Sequence, residues 1–127
     1  MNESRLTNLE IPTVAAELLT YNWGSKPLRL EVNVVGETNG LAEYEAQISS
    51  VSKRLIEMFE RFGVAERDHH LLIVFLFTDE HFQLIFDYHG PLRNQKKDWQ
   101  ELVNDFDANV QLVEWHHDEC VLSVSFY

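Results

Sequence analysis

Between Leu28 and Val34 apolar and polar residues alternate, with Leu28, Leu30, Val32 and Val34 on one side and Arg29, Glu31 and Asn33 on the other. A period of two predicts a strand with one buried and one polar face. Past the turn-forming stretch 36–40 the period changes. Tyr44, Ile48, Val51, Leu55, Met58, Phe59 and Phe62 recur three and four apart, which lays them in one stripe down a long helix. Asn39 is placed to cap its start, and Gly63 to close its last turn in the left-handed conformation. Leu71 to Phe77 is short and continuously apolar, the pattern of a central strand covered on both faces. After a tight turn at 78–80, residues 81–89 alternate again, with Phe82, Leu84, Phe86 and Tyr88 opposite His81, Gln83, Asp87 and His89, and Ile85 interrupting the polar set. So short a connection predicts a hairpin.

Gly90 and Pro91 stop that strand. Asp98 is placed to cap a further helix bearing Trp99, Leu102, Val103 and Phe106. Val110 to Trp115 and Cys120 to Phe126 read as two last strands joined by a turn at 117–119. Upstream, Pro12 suits the first turn of a short helix reaching about Thr20, with Val14, Leu18 and Tyr21 turned inward, followed by a loop over 21–27. The order αβαββαββ predicts a single α+β domain over 1–127: a mainly antiparallel sheet of about five strands with the helices packed on one face. The other face is expected to carry Arg29, Glu31, Asn33, His81, Gln83, Asp87, His89, Ser123, Ser125 and Tyr127.

Composition narrows the function. The chain has 127 residues, 10 Lys and Arg against 21 Asp and Glu, and a formal net charge of −11. Phosphate affinity comes mainly from clustered Lys and Arg, so a nucleic-acid or anionic-membrane partner is not expected. Cys120 is the sole cysteine, which precludes an intrachain disulfide and fits a reducing compartment. The first ten residues lack the cationic and apolar regions of a secretory signal, and no apolar run approaches membrane-spanning length. A cytoplasmic location is the expectation.

All six histidines lie in the second half, at 69, 70, 81, 89, 116 and 117. Asp87 and His89 share a side of one strand, and His81 or His116 could complete a zinc or iron site of three convergent ligands. Against that, the spacing is generic and adjacent histidines on a strand point to opposite faces. The preferred reading has no metal and no cofactor, with His81, Asp87 and His89 as the candidates otherwise. His69, His70, His116 and His117 are expected to be solvated. Cys120 alternates with Leu122, Val124 and Phe126 beside Asp118 and Glu119, surroundings that raise a thiol pKa and suit a buried apolar residue. With no nucleophile elbow and no glycine-rich phosphate loop, the chain is expected not to be an enzyme.

From Asp98 to Tyr127 there are seven carboxylates and no Lys or Arg. Such a segment serves either as a solvated face or as a docking surface for a cationic partner. On the second reading Asp98, Glu101, Asp105, Asp107, Glu114, Asp118 and Glu119 make the contact and Trp115 is its aromatic anchor. Tyr21-Asn22-Trp23, Leu28 to Val32, the helix ending at Phe62-Gly63 and Leu71 to Val74 together resemble short bacterial proteins of the toxin–immunity type, over residues 18–90. That resemblance implies an inhibitor that masks a toxin or effector domain, and carries over no functional residue. The first reading is therefore an immunity-type inhibitor docking a basic protein. A small metal- or ligand-binding enzyme around His81, Asp87 and His89 is the second, and an adaptor or homodimer subunit the third.

Overall fold

The computed structural model describes residues 28–36, 44–64, 69–77, 82–106 and 109–126. Five strands and two helices follow in the order β1 (Leu28–Val35), α1 (Glu45–Phe62), β2 (His69–Phe77), β3 (Phe82–His89), α2 (Lys96–Asn104), β4 (Asn109–His116) and β5 (Glu119–Phe126). They form one sheet in the order β1-β2-β3-β5-β4. β1 and β2 pair in parallel, and the other three pairings are antiparallel. The α+β class, the mainly antiparallel sheet and the helices gathered on one face are as the alternation predicts. The short helix expected from Pro12 to Thr20, the loop before β1, Asn39, His81, Asp107 and Tyr127 lie outside the described residues.

One face of each strand supplies the core. Leu28, Leu30, Val32 and Val34 meet Leu71, Ile73 and Phe75, then Leu84, Phe86 and Tyr88, then Cys120, Leu122 and Val124, all nearly or wholly shut off from solvent. α1 adds Ile48, Val51, Leu55, Ile56 and Phe59. α2 adds Trp99 and Val103. Phe59 locks the layers together: its ring stacks on Tyr88 of β3 at 4.9 Å and on Trp99 of α2 at 5.0 Å. Both helices therefore lie over the same sheet face. β2 is fully buried on that face only, since Leu72, Val74 and Leu76 on the other are half-buried, so the cover on both faces expected from its apolar run is partial.

Three local expectations are corrected. Gly63 is extended, with φ −72° and ψ 151°, and not left-handed. A glycine stands there for space: a Cβ would lie 2.7 Å from His69 Nδ1 and against the Tyr88 hydroxyl. α2 starts before Asp98, with Gln95 as N-cap and Asp98 as the third helical residue in a reciprocal capping box. The Gln95 N–H donates to Asp98 Oδ2 at 2.9 Å, satisfying a donor just outside the helix. β2 begins at His69, whose side chain continues the inward set and is buried, not solvated.

Past β3, residues 90–93 are stitched to two neighbours. The Val64 N–H donates to Pro91 O and the Arg93 N–H to Phe62 O, tying the segment to the end of α1. The Gly90 N–H donates to Asp118 O and the Leu92 N–H to His117 O, tying it to the β4–β5 turn. This end of the sheet is thus held from both sides.

Candidate functional site

Strand register assembles polar chemistry at that end of the open face. His70 of β2 pairs with His89 of β3, His89 with Glu119 of β5, and Glu119 with His116 of β4. Directly paired residues share a face, so the four form a row across the sheet, with Arg29 of β1 beside His70. In the next row Asp87 lies between Leu72 and Val121. His89 Nε2 stands 3.0 Å from Asp87 Oδ1, and the His70 and His89 rings stack with centroids 5.2 Å apart. One donor atom from each of Asp87, His89 and Glu119 lies within 4.8 Å of the other two. Asp87 and His89 thus share a side of β3, as their spacing predicts. Glu119 brings the third donor, and the cross-strand pairing that delivers it has no signature in residue spacing.

At the rim, His116 Nε2 is 3.0 Å from Glu114 Oε1. The Glu114 hydrogen bond, reinforced by the charges of Glu119 and Asp118, raises the His116 pKa above its ordinary value. Behind the face, His69 Nδ1 and the Tyr88 hydroxyl share a buried 2.7 Å hydrogen bond. Burial first, and the neighbouring Cys120 second, push the Tyr88 phenol up to about 12. Burial and then the Asp87 charge push the Cys120 thiol up to about 12. The thiol is buried in the core, as its apolar alternation predicts.

The residues expected to dock a basic partner fall in two layers. Asp98, Glu101 and Asp105 belong to α2 and its C-cap, over the buried face. Glu114 and Glu119 belong to β4 and β5 and point to the open face, while Asp118 occupies the turn between them. Asp98 is engaged in its capping box and Glu114 with His116. Trp115 pairs with Cys120 and so turns toward the core, where it is partly buried; it is not a free anchor. Among the described residues these groups are thus distributed between the helical layer, the open sheet face and the β4–β5 turn.

A groove of about 280 Å³ opens between the two helices, lined by Arg54, Glu57, Arg61, Leu102, Asp105 and Phe106 among others. The Arg54 guanidinium carbon lies 3.9 Å from the centroid of the Phe106 ring, a cation–π arrangement. Glu57 and Asp105 balance the two arginines in formal charge. Met58, Phe62, Leu102 and Phe106 of the lining belong to the helical stripes; the four charged residues do not. No helix among the described residues is long and apolar enough to cross a membrane.

Comparison with known proteins assigns this architecture. Sporulation initiation phosphotransferase B of Bacillus subtilis (strain 168) is 27% identical over 126 residues, covering 97% of this chain and 66% of the relative. The histidine kinase domain of a blue-light-activated kinase from Erythrobacter litoralis superposes with a TM-score of 0.62 at 12% identity, over 97% of this chain and 63% of that one. Histidine kinase AdeS of Acinetobacter baumannii gives 0.55 at 12% identity, over 96% and 62%. The catalytic domain of histidine kinase ThkA gives 0.53 at 9% identity, over 98% and 91%. At such identities the kinases share the fold alone. The chain spans just under two thirds of the length of the first relative and of the first kinase.

These findings correct four expectations. The resemblance to toxin–immunity proteins is overturned, and with it the inhibitor reading, the basic toxin or effector partner and the expectation of a non-enzymatic chain. The strand and helix pattern behind that resemblance is common to any small α+β domain, and carboxylates keep many unrelated proteins soluble. The metal- or ligand-binding enzyme and the adaptor or homodimer gain no support as accounts of the chain's main function. The C-terminal region of sporulation initiation phosphotransferase B, as a family, matches residues 10–127, and the chain belongs to that family.

Proposed function

We propose that this chain works in a phosphorelay, as a domain of a phosphotransferase that passes a phosphoryl group between protein partners, and that its own share is to receive and orient a response-regulator-type partner. The family match over residues 10–127 carries the reading. The architecture shared with histidine kinases accords with it.

The described surface suits a protein better than a polyphosphate. Phosphate cradles combine glycine-rich loops, open helix N-termini and cations. Here Gly63 and Gly90 are pressed against His69 and Tyr88. At the start of α2 the Asp98 carboxylate accepts from the Gln95 N–H and sets a negative charge where an anion would dock. The groove arginines share their walls with Glu57 and Asp105. Between the helices, aromatic, aliphatic, arginine and carboxylate groups alternate over a short distance, the mixture that specific transient protein contacts use. A phosphoryl group carried by a protein needs only alignment of donor and acceptor atoms, and rigid docking supplies it.

The test is calorimetric titration of the whole chain with a receiver protein, phosphorylated and unphosphorylated. A saturable complex with the receiver is expected. Absence of binding to either form would refute the proposal, as would labelling of the chain from radiolabelled ATP alone.

A further inference from the structure

We infer that Asp87, His89 and Glu119 form a binding site for a divalent transition metal ion, zinc foremost, on the open sheet face. The inference is independent of the phosphorelay reading.

Three observations meet at this place. First, the donors are mixed: one imidazole nitrogen and two carboxylates, a set that favours borderline ions such as zinc, cobalt and nickel over magnesium or calcium, which take oxygen alone. Second, they already approximate a coordination triangle. An ion with tetrahedral bonds of about 2.1 Å holds its ligand atoms about 3.4 Å apart. One edge, His89 Nε2 to Asp87 Oδ1, is 3.0 Å, and all three donors lie within 4.8 Å of one another. Side-chain adjustments of about 1 Å would bring the longest permitted separation to that of a coordination triangle. Third, the platform is stiff. Asp87 and His89 project from one strand and Glu119 from its hydrogen-bonded neighbour, and the strand ends are tied by the Gly90–Asp118 and Leu92–His117 backbone bonds. Ligands on strands hold geometry better than ligands on loops.

The electrostatic setting agrees. Two carboxylates give the triangle a formal charge of −2, and the last thirty residues, which include Glu119, hold no Lys or Arg. The His70 ring, stacked on His89, restricts how that imidazole can turn, as second-layer groups around metal-bound histidines do. With three protein ligands and half-exposed surroundings, the fourth position is left to water or to a group from a bound partner, the pattern of open rather than closed sites.

The test is zinc titration of the tag-free, metal-stripped chain by calorimetry, with thermal unfolding measured alongside. The expected result is one ion per chain with micromolar affinity and a raised Tm. Affinity should fall at least tenfold in His89→Ala and in Glu119→Gln, and stay unchanged in His117→Ala, whose side chain belongs to the adjacent turn. Circular dichroism checks that each variant folds, and Glu119→Gln, which keeps size and shape, stands in if His89→Ala does not. Cobalt titration should give a visible spectrum that disappears in Glu119→Gln. Absence of saturable binding would overturn the inference. So would binding that survives Glu119→Gln, or that His117→Ala alone abolishes.

Discussion

Replacing Tyr88 by Phe removes one oxygen atom from the interior and tests how the end of the sheet that carries the candidate site is held. In the native protein the hydroxyl lies 2.7 Å from His69 Nδ1, with the tyrosine wholly buried and the histidine 3% exposed. The net value of such a bond is about 1 kcal/mol, but depriving a buried ring nitrogen of its partner adds a desolvation penalty, so a loss of about 1–3 kcal/mol is expected at neutral pH. With a urea slope of about 1–3 kcal/mol per molar, the midpoint should fall by about 1 M. The same substitution acts oppositely in alkali. Tyr88 and its cross-strand partner Cys120 ionise in the unfolded chain near 10 and 9, whereas in the folded chain both are pushed up to about 12. Above pH 9 the folded protein thus retains protons that the unfolded chain has released, and its stability declines as pH rises. At about 1.4 kcal/mol per pKa unit, Tyr88 alone accounts for about 2 kcal/mol by pH 12, where the folded phenol is itself half ionised. Phenylalanine cannot ionise, so its disadvantage at pH 7–9 should shrink between pH 10 and 12. Urea unfolding at a series of pH values, followed by far-UV circular dichroism, measures both effects. A variant as stable as the parent at pH 7, or a gap unchanged from pH 8 to 11, would refute the reasoning.

Other consequences of the packing are equally open to measurement. Gly90→Ala should cost about 2 kcal/mol or more in chemical denaturation, because φ is +150° and the new methyl would press on the His69 side chain. Ser52→Ala should raise stability by up to about 1 kcal/mol: the hydroxyl is buried in α1 without a hydrogen-bond partner, and alanine is the better helix former. Cys120 should resist alkylation in the folded protein at pH 8 and react fully once urea unfolds it, which mass spectrometry reads directly; the cause is burial first, then the Asp87 charge.

Most of the fold is legible wherever a periodicity has one interpretation. The strand alternations and the α1 stripe give the elements, their order and the buried face because each side chain's direction follows from its position within the element. Errors occur where a residue's usual character conflicts with its surroundings. His69 continues the inward series of Leu71, Ile73 and Phe75, but histidine reads as polar, and only the Tyr88 hydroxyl explains its burial. Gly63 follows a helix, where a left-handed cap is the common use of glycine; here the constraint comes from β2 and β3, remote in sequence. The Gln95–Asp98 capping box is visible as a spacing of three, and is missed when the acidic residue is taken as the cap.

The candidate site shows the same division at finer scale. Asp87 and His89 are visible together because period two places them on one side of one strand. Glu119 joins them only because β5 pairs with β3 while β4 takes the sheet edge; had the order followed the sequence, β4 would stand beside β3 instead. The acidic tail illustrates the converse. Seven carboxylates within thirty residues suggest one surface when read as a line. Of the six that are described, Asp98, Glu101 and Asp105 belong to the helical layer, Glu114 and Glu119 to the sheet, and Asp118 to the β4–β5 turn. Charge density along a sequence specifies a patch only when the segment stays within one layer. A spatial cluster arises from pairing, and for this domain pairing selects the imidazole and two carboxylates at the end of β3 and β5.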